Sequence, residues 1–224
     1  MSQSEEKRDS KAHDPELISD PILKAEAEAR NGLKQYDAGL QAIQTALERG
    51  VFRLRPSLIL GLHREALAGL SPFAGNWRPA SVSIQGSQHH PPDNFLVPEL
   101  IEDMCDYVNE HWETSTPIHL ASYIMWRLNW IHPFADGNGR TSRILSYVVL
   151  SIRSGSILPG VPTIPDQIVE NRKSYFDALD AADAAYLADR RIDVSQMESL
   201  LGSMLATQLT NFYRSAGGDL PAAL

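Results

Sequence analysis

The chain has 224 residues, of which 43% are apolar, and 28 acidic against 20 basic side chains give it a formal charge of -8. That length and apolar content suit one large domain with a buried core better than two small ones. An acidic balance with scattered basic residues argues against a nucleic-acid partner, and the lack of any run of about 18 apolar residues argues against a membrane span.

Residues 1–20 are polar and aperiodic, and are expected to form a mobile N-terminal arm that contributes little to the fold. The opening MSQSEEKRDSKAHD lacks the apolar run of a secretory signal. The single Cys105, beside Met104 in an apolar pattern, reads as a buried, unreactive thiol. Together these predict a cytoplasmic, reducing setting. A catalytic domain is expected over 21–190, and a C-terminal helix and tail over 191–224.

Leu33, Tyr36, Leu40, Ile43 and Leu47 recur at spacings of three and four and predict a first helix stopped by Gly50. Ser57 can cap a second, with Ile59, Leu62, Ala66 and Leu70 on one face. Val82 and Ile84 alternate with Ser81, Ser83 and Gln85, the pattern of a short strand or hairpin. Pro98 opens a third helix with Ile101, Met104 and Val108 inward, and Thr116-Pro117 caps a fourth carrying Ile118, Ala121, Met125 and Leu128. That helix should stop at His132, because Pro133 disfavours helical angles at the residue before it. After the loop FADGNG, Ile144, Leu145, Val148, Val149 and Ile152 give another helical face. LPGVPTIP reads as a connection, followed by a helix around Tyr175 to Leu187 and a last one opened by a capping box from Ser195 to Glu198.

The segment from His132 to Arg143, HPFADGNGRTSR, holds an imidazole, a carboxylate, two glycines and two guanidinium groups. Gly137 and Gly139 let the backbone approach phosphate oxygens where a helix begins with the positive end of its dipole. Arg140 and Arg143, three apart, present guanidinium forks suited to phosphate. Asp136 offers a hard oxygen for Mg2+, and His132, with a reference pKa of about 6.5, can take a proton from an attacking hydroxyl. Phe134 reads as a wedge into the core. Taken singly, His132 could be a helix-end residue, Asp136 a turn former and the arginines solvated surface; their joint spacing favours nucleotide chemistry. No GxxxxGK[ST] is present, the partial GxGxxG follows a helix where a strand is required, a calcium loop fails at Arg140, Thr141 and Tyr147, and no HExxH supports zinc. His89 and His90 read as exposed flap residues with a minor chance of touching target or nucleotide, and Trp126 and Trp130 as core.

This stretch matches every specified position of the HxFx[DE]GNGRxxR signature, and on it the chain resembles the Fic (filamentation induced by cAMP) family. GNWRPASVSIQG with HHPPDNFLVPEL is similar to the family's flap and following helix, and NRKSYFDALDAAD to its downstream nucleotide-holding helix. The resemblance implies an all-α, Fic-type helical bundle with a small β-hairpin flap. It implies transfer of AMP from ATP, with Mg2+, to a Ser, Thr or Tyr hydroxyl of a protein target, releasing pyrophosphate. In that pattern His132 is the base, Asp136 binds Mg2+, and Gly137, Asn138, Gly139, Arg140 and Arg143 hold phosphates. Tyr175 and Phe176 fall at aromatic positions near the nucleotide, Asp183 replaces an asparagine of some members, and Val82, Ser83, Ile84 and Gln85 would align the target as an added strand.

Alternatives left open are transfer of another nucleotidyl group, phosphoryl transfer, which Gly139 argues against because that branch has Lys there, and an idle nucleotide-binding module. Many relatives carry an inhibitory [ST]xxxE[GN] helix whose glutamate pairs with the last motif arginine. Here Glu28 is the candidate inhibitory residue, with Asn31 echoing the pattern but Lys24 at the hydroxyl position. Self-inhibition is therefore expected to be absent or weak, and an inhibitory partner protein in trans fits equally.

Overall fold

The computed structural model describes residues 8, 10–12 and 15–218; the remainder of the predicted arm and of the C-terminal tail lies outside them. In chain order the described elements are β1 (Ser10–Lys11), α1 (Pro21–Arg49), α2 (Pro56–Leu67), β2 (Ser83–Ile84), a 3-10 turn (Asn94–Leu96), α3 (Val97–Glu110), α4 (Pro117–Ile131), α5 (Asn138–Arg153), α6 (Ile164–Glu170), α7 (Arg172–Asp189) and α8 (Ser195–Ser215). The fold is all-α with one two-stranded antiparallel pair, β1 on β2.

α4 and α5 pack on each other at the centre, with α1 and α2 against α5 on one side, and α3, α7 and α8 against α4 on the other. Residues 120–128 and 144–152 are buried almost without interruption, so both central helices are enclosed all round rather than amphipathic. Local chemistry sets the ends. Asp20 accepts from the amides of Ile22 and Leu23 to start α1, Gly50 ends it at φ 64°, and Thr116 accepts from His119 N ahead of Pro117.

Several sequence expectations are corrected. The buried face of α1 is Ala27, Asn31, Gln35, Gly39, Ile43 and Ala46, whereas Leu33 is exposed. Asn31 Nδ2 donates to Ala68 O (2.8 Å) and Gln35 Nε2 to Leu62 O (3.1 Å), so α1 docks on α2 partly through amide hydrogen bonds, which an apolar pattern does not reveal. Gly39 permits the close approach of α5: a Cβ there would stand 3.0 Å from Ile144 Cδ1. α2 starts at Pro56 with Arg55 as its cap, so Ser57 is not the cap. The tract read as a connection ends in α6, opened by a Thr163–Asp166 capping box, while Ser195 and Glu198 form none because their side chains bond Asp193 and His119. α8 is part of the core through Met197 and Leu201. The arm, expected to contribute little, supplies β1.

Candidate active site

The end of α4 creates the site. His132 is the helix cap in the left-handed region (φ 51°, ψ 57°), a conformation that costs a non-glycine residue on the order of 1 kcal/mol and here turns the chain sharply into the loop. Three contacts hold it. Its amide donates to Leu128 O (2.9 Å), its carbonyl accepts from Arg78 Nε (2.8 Å), and its Nδ1 lies 3.3 Å from Asn129 O. A carbonyl can only accept, so Nδ1 carries the proton and Nε2 keeps its lone pair. Nε2 stands 2.7 Å from the Ser10 hydroxyl. Burial, opposed by the Asn129 hydrogen bond, lowers the His132 pKa from 6.5 to about 4. The helix C-terminus favours the charged ring, but desolvation prevails and the imidazole is neutral at physiological pH.

The loop behind it is clamped from inside. Asn138 Oδ1 accepts from Phe134 N and its Nδ2 donates to Phe134 O, both at 2.9 Å, so the Asn138 side chain is spent on the loop and its backbone faces the pocket. Phe134 is fully buried, stacked on the His63 ring at 3.6 Å, and so is the wedge expected of it. His63 accepts from Gly75 N at Nδ1 and donates from Nε2 to Asp136 O, tying α2 to the loop. Gly137 has φ 78°, and a Cβ would meet Leu67 Cδ2 at 2.5 Å.

α5 begins here. Thr141 N is the first amide to bond back, to Gly137 O (2.9 Å), so the amides of Asn138, Gly139 and Arg140 have no partner within the helix and form its anion-attracting end. Arg140 Nη2 pairs with Asp136 Oδ2 at 2.8 Å, and Asp136 Oδ1 accepts from Gly137 N. Arg143 reaches the same pocket with no carboxylate within ion-pair distance among the described residues, and burial lowers its pKa. A partly buried cation with no counter-ion among the described residues is suited to a bound anion.

A cavity of about 570 Å3 joins these groups. It collects His132, Asp136, Gly137, Asn138, Gly139, Arg140, Arg143, Tyr175 and Phe176; of the flap residues, Ile84 lines it and Val82, Ser83 and Gln85 do not. Tyr175 is enclosed, its hydroxyl 2.9 Å from Asn129 Nδ2. Asp183 accepts from Trp126 Nε1 (2.8 Å), and Trp126 is wholly buried as expected. His89 turns inward, its Nε2 2.7 Å from Trp130 O, and only His90 is exposed. Glu28 faces the pocket from α1 and lies 3.8 Å from Arg140 rather than beside Arg143.

Sequence reasoning missed Arg78, His63, Asn129, Arg8 and Ser10. Asn129 sits three residues before His132 on one helix, a spacing that could have identified it. Arg78, 2% exposed, also bonds Ala80 O and Pro92 O, and nothing in its neighbourhood of sequence announces that role.

These features define a Fic fold built around its signature loop. Residues 53–150 match the model of the Fic/DOC family, so this part of the chain is a Fic domain. It is 32% identical over 200 residues to the protein adenylyltransferase Fic of Drosophila melanogaster, covering 73% of this chain and 39% of that protein. It is 35% identical over 129 residues to protein adenylyltransferase fic-1 of Caenorhabditis elegans, covering 55% and 23%. The chain thus spans about two fifths or less of these relatives' length. Among solved structures, a Fic-1 fragment from C. elegans superposes with a TM-score of 0.68 at 23% identity, over 89% of this chain and 54% of that one. A Fic domain containing signaling protein from Bacteroides thetaiotaomicron gives 0.67 at 23%, over 85% and 74%.

Proposed function

We propose that the chain is a protein adenylyltransferase that moves AMP from ATP to a hydroxyl side chain of a protein target. The observation that carries this reading is a neutral His132 whose Nε2 lone pair meets a hydroxyl at 2.7 Å, beside a helix start whose first amides have no partner within the helix. His132 accepts the hydroxyl proton, the hydroxyl oxygen attacks the α-phosphorus, and pyrophosphate leaves. Arg140, Arg143 and the amides from Asn138 to Arg140 stabilise the phosphates. Asp136, exposed at the pocket edge, fits a Mg2+ held by one carboxylate and substrate oxygens; no cluster of three acidic, His or Cys ligands exists among the described residues. Mg2+ would neutralise phosphate charge as it develops. The curated relatives carry the adenylyltransferase name, which supports the same reaction.

The flap strand β2 is suited to backbone pairing with a target segment, which reads main chain more than side chains. Glu28, half-exposed and set toward Arg140, leaves Arg143 to the nucleotide, in keeping with weak self-inhibition and with restraint by a partner protein. The buried Cys105, its pKa raised to about 12 by desolvation, is in keeping with a reducing, cytoplasmic setting. No helix among the described residues is long and apolar enough to cross a membrane.

The test is incubation with Mg2+ and a cell lysate, with ATP labelled at the α- or the γ-phosphate. Label on protein from the α position alone is expected; label from the γ position would replace this reading with phosphoryl transfer.

A further inference from the structure

The acceptor side of the pocket is filled by this chain's own N-terminal segment. β1 pairs antiparallel with the flap strand, Ser10 opposite Ile84 and Lys11 opposite Ser83. Alternation along a strand then turns Arg8, Ser10 and Ala12 inward and leaves Lys11 exposed, as observed. Three separate contacts fix the register. Ser10 Oγ meets His132 Nε2 at 2.7 Å; Arg8 forms a two-point pair with Asp180 at 2.8 and 2.6 Å; and the Arg8 guanidinium lies 4.5 Å over the Phe176 ring. Among the described residues, no hydrogen bond or ion pair joins the arm to Gly137, Asn138, Gly139, Arg140 or Arg143. The described part of the segment lies against the base and the flap, away from the phosphate cradle.

We propose that Ser10 is a self-modification site: the arm docks in cis as a target segment and receives AMP on its hydroxyl. This rests on the adenylyltransferase reading above. The Ser10 Oγ–H proton passes to His132 Nε2, an Oγ–Pα bond forms to ATP, the bond from Pα to the bridging oxygen breaks, and pyrophosphate leaves. The product is a phosphodiester between Ser10 and adenosine, and the imidazolium returns its proton to water. Only the stretch from Ala12 to Asp20 separates β1 from α1, so the tether holds the hydroxyl at high effective concentration.

The experiment uses the full chain with Mg2+ and α-labelled ATP at protein concentrations spanning about ten-fold, with the labelled peptide sequenced by mass spectrometry. Ser10→Thr, Ser10→Ala and His132→Ala proteins run alongside, and a parallel sample contains lysate. The expected result is AMP on Ser10 with a rate constant independent of protein concentration, retained in Ser10→Thr and lost in the other two. An apparent first-order rate constant rising in proportion to protein concentration would overturn docking in cis. Labelled lysate proteins with an unmodified Ser10 would overturn the proposal alone, making the segment a plug, and no label on either chain or lysate would overturn the transferase reading with it.

Discussion

His132 combines two properties that pull against each other. It ends a helix, where the dipole favours the imidazolium, yet it is buried so far that the neutral ring prevails and its pKa falls to about 4. Asn129 O then fixes the tautomer, leaving Nε2 as the acceptor. Arg78 secures the strained backbone through His132 O, Ala80 O and Pro92 O. Arg78→Met should therefore lower stability by roughly 2–4 kcal/mol, since hydrogen bonds from a charged group are lost and three carbonyls are left unpaired; urea denaturation checks it. Were the loss only a few tenths of a kcal/mol, Arg78 would not be holding the turn.

At the scale of elements, two glycines of α1 make opposite predictions. Gly32 faces open space, so Gly32→Ala should raise stability by about 0.5–1 kcal/mol through helix propensity. Gly39 lies against Ile144 and Val148, so Gly39→Val should lower it by about 1–3 kcal/mol through overpacking. Thermal unfolding of the pair separates the two effects, and a destabilised Gly32→Ala would show that α1 is not packed as described. The same helix shows what the sequence could convey. Its Gly50 stop was legible, because termination is local, whereas its start at Pro21, twelve residues before the first periodic position, was not. Its buried face was legible only in part: Ile43 is buried and Tyr36, Leu40 and Leu47 pack against the core, but Asn31 and Gln35 are satisfied by the carbonyls of Ala68 and Leu62, and a partner across space leaves no period in the chain. The signature loop was legible for the opposite reason, its chemistry being contiguous from His132 to Arg143. The residues that support it, His63 on α2 and Arg78 before the flap, are distant in sequence and were not. α6 was hidden by prolines read only as breakers, although Pro165 sits in its first turn, where proline is tolerated.

For the whole molecule, the two buried neutral histidines link stability to pH. His63 and His132 both have folded pKa values of about 4 against 6.5 in their ordinary state. Between those values the unfolded chain binds protons that the native chain does not, so stability rises with pH across the window and is lost as pH falls from about 6.5 toward 4. Each ring contributes a slope of up to about 1.4 kcal/mol per pH unit. Replacing His63 with Gln should flatten the slope measured by denaturant titration from pH 7 to 4.5; an unchanged slope would mean that His63 is not buried neutral. Activity should keep to the same window, with transfer surviving well below pH 6.5 wherever the fold survives, because the base stays neutral.

The central claim is that His132 acts in the chemical step and not in holding the nucleotide. The direct measurement compares wild type and His132→Ala for ATP binding by calorimetry and for AMP transfer from α-labelled ATP under the same conditions. The account predicts a Kd for ATP within a few-fold of wild type and a transfer rate lower by at least about 100-fold. A His132→Ala protein that binds ATP and transfers AMP at the wild-type rate would contradict it.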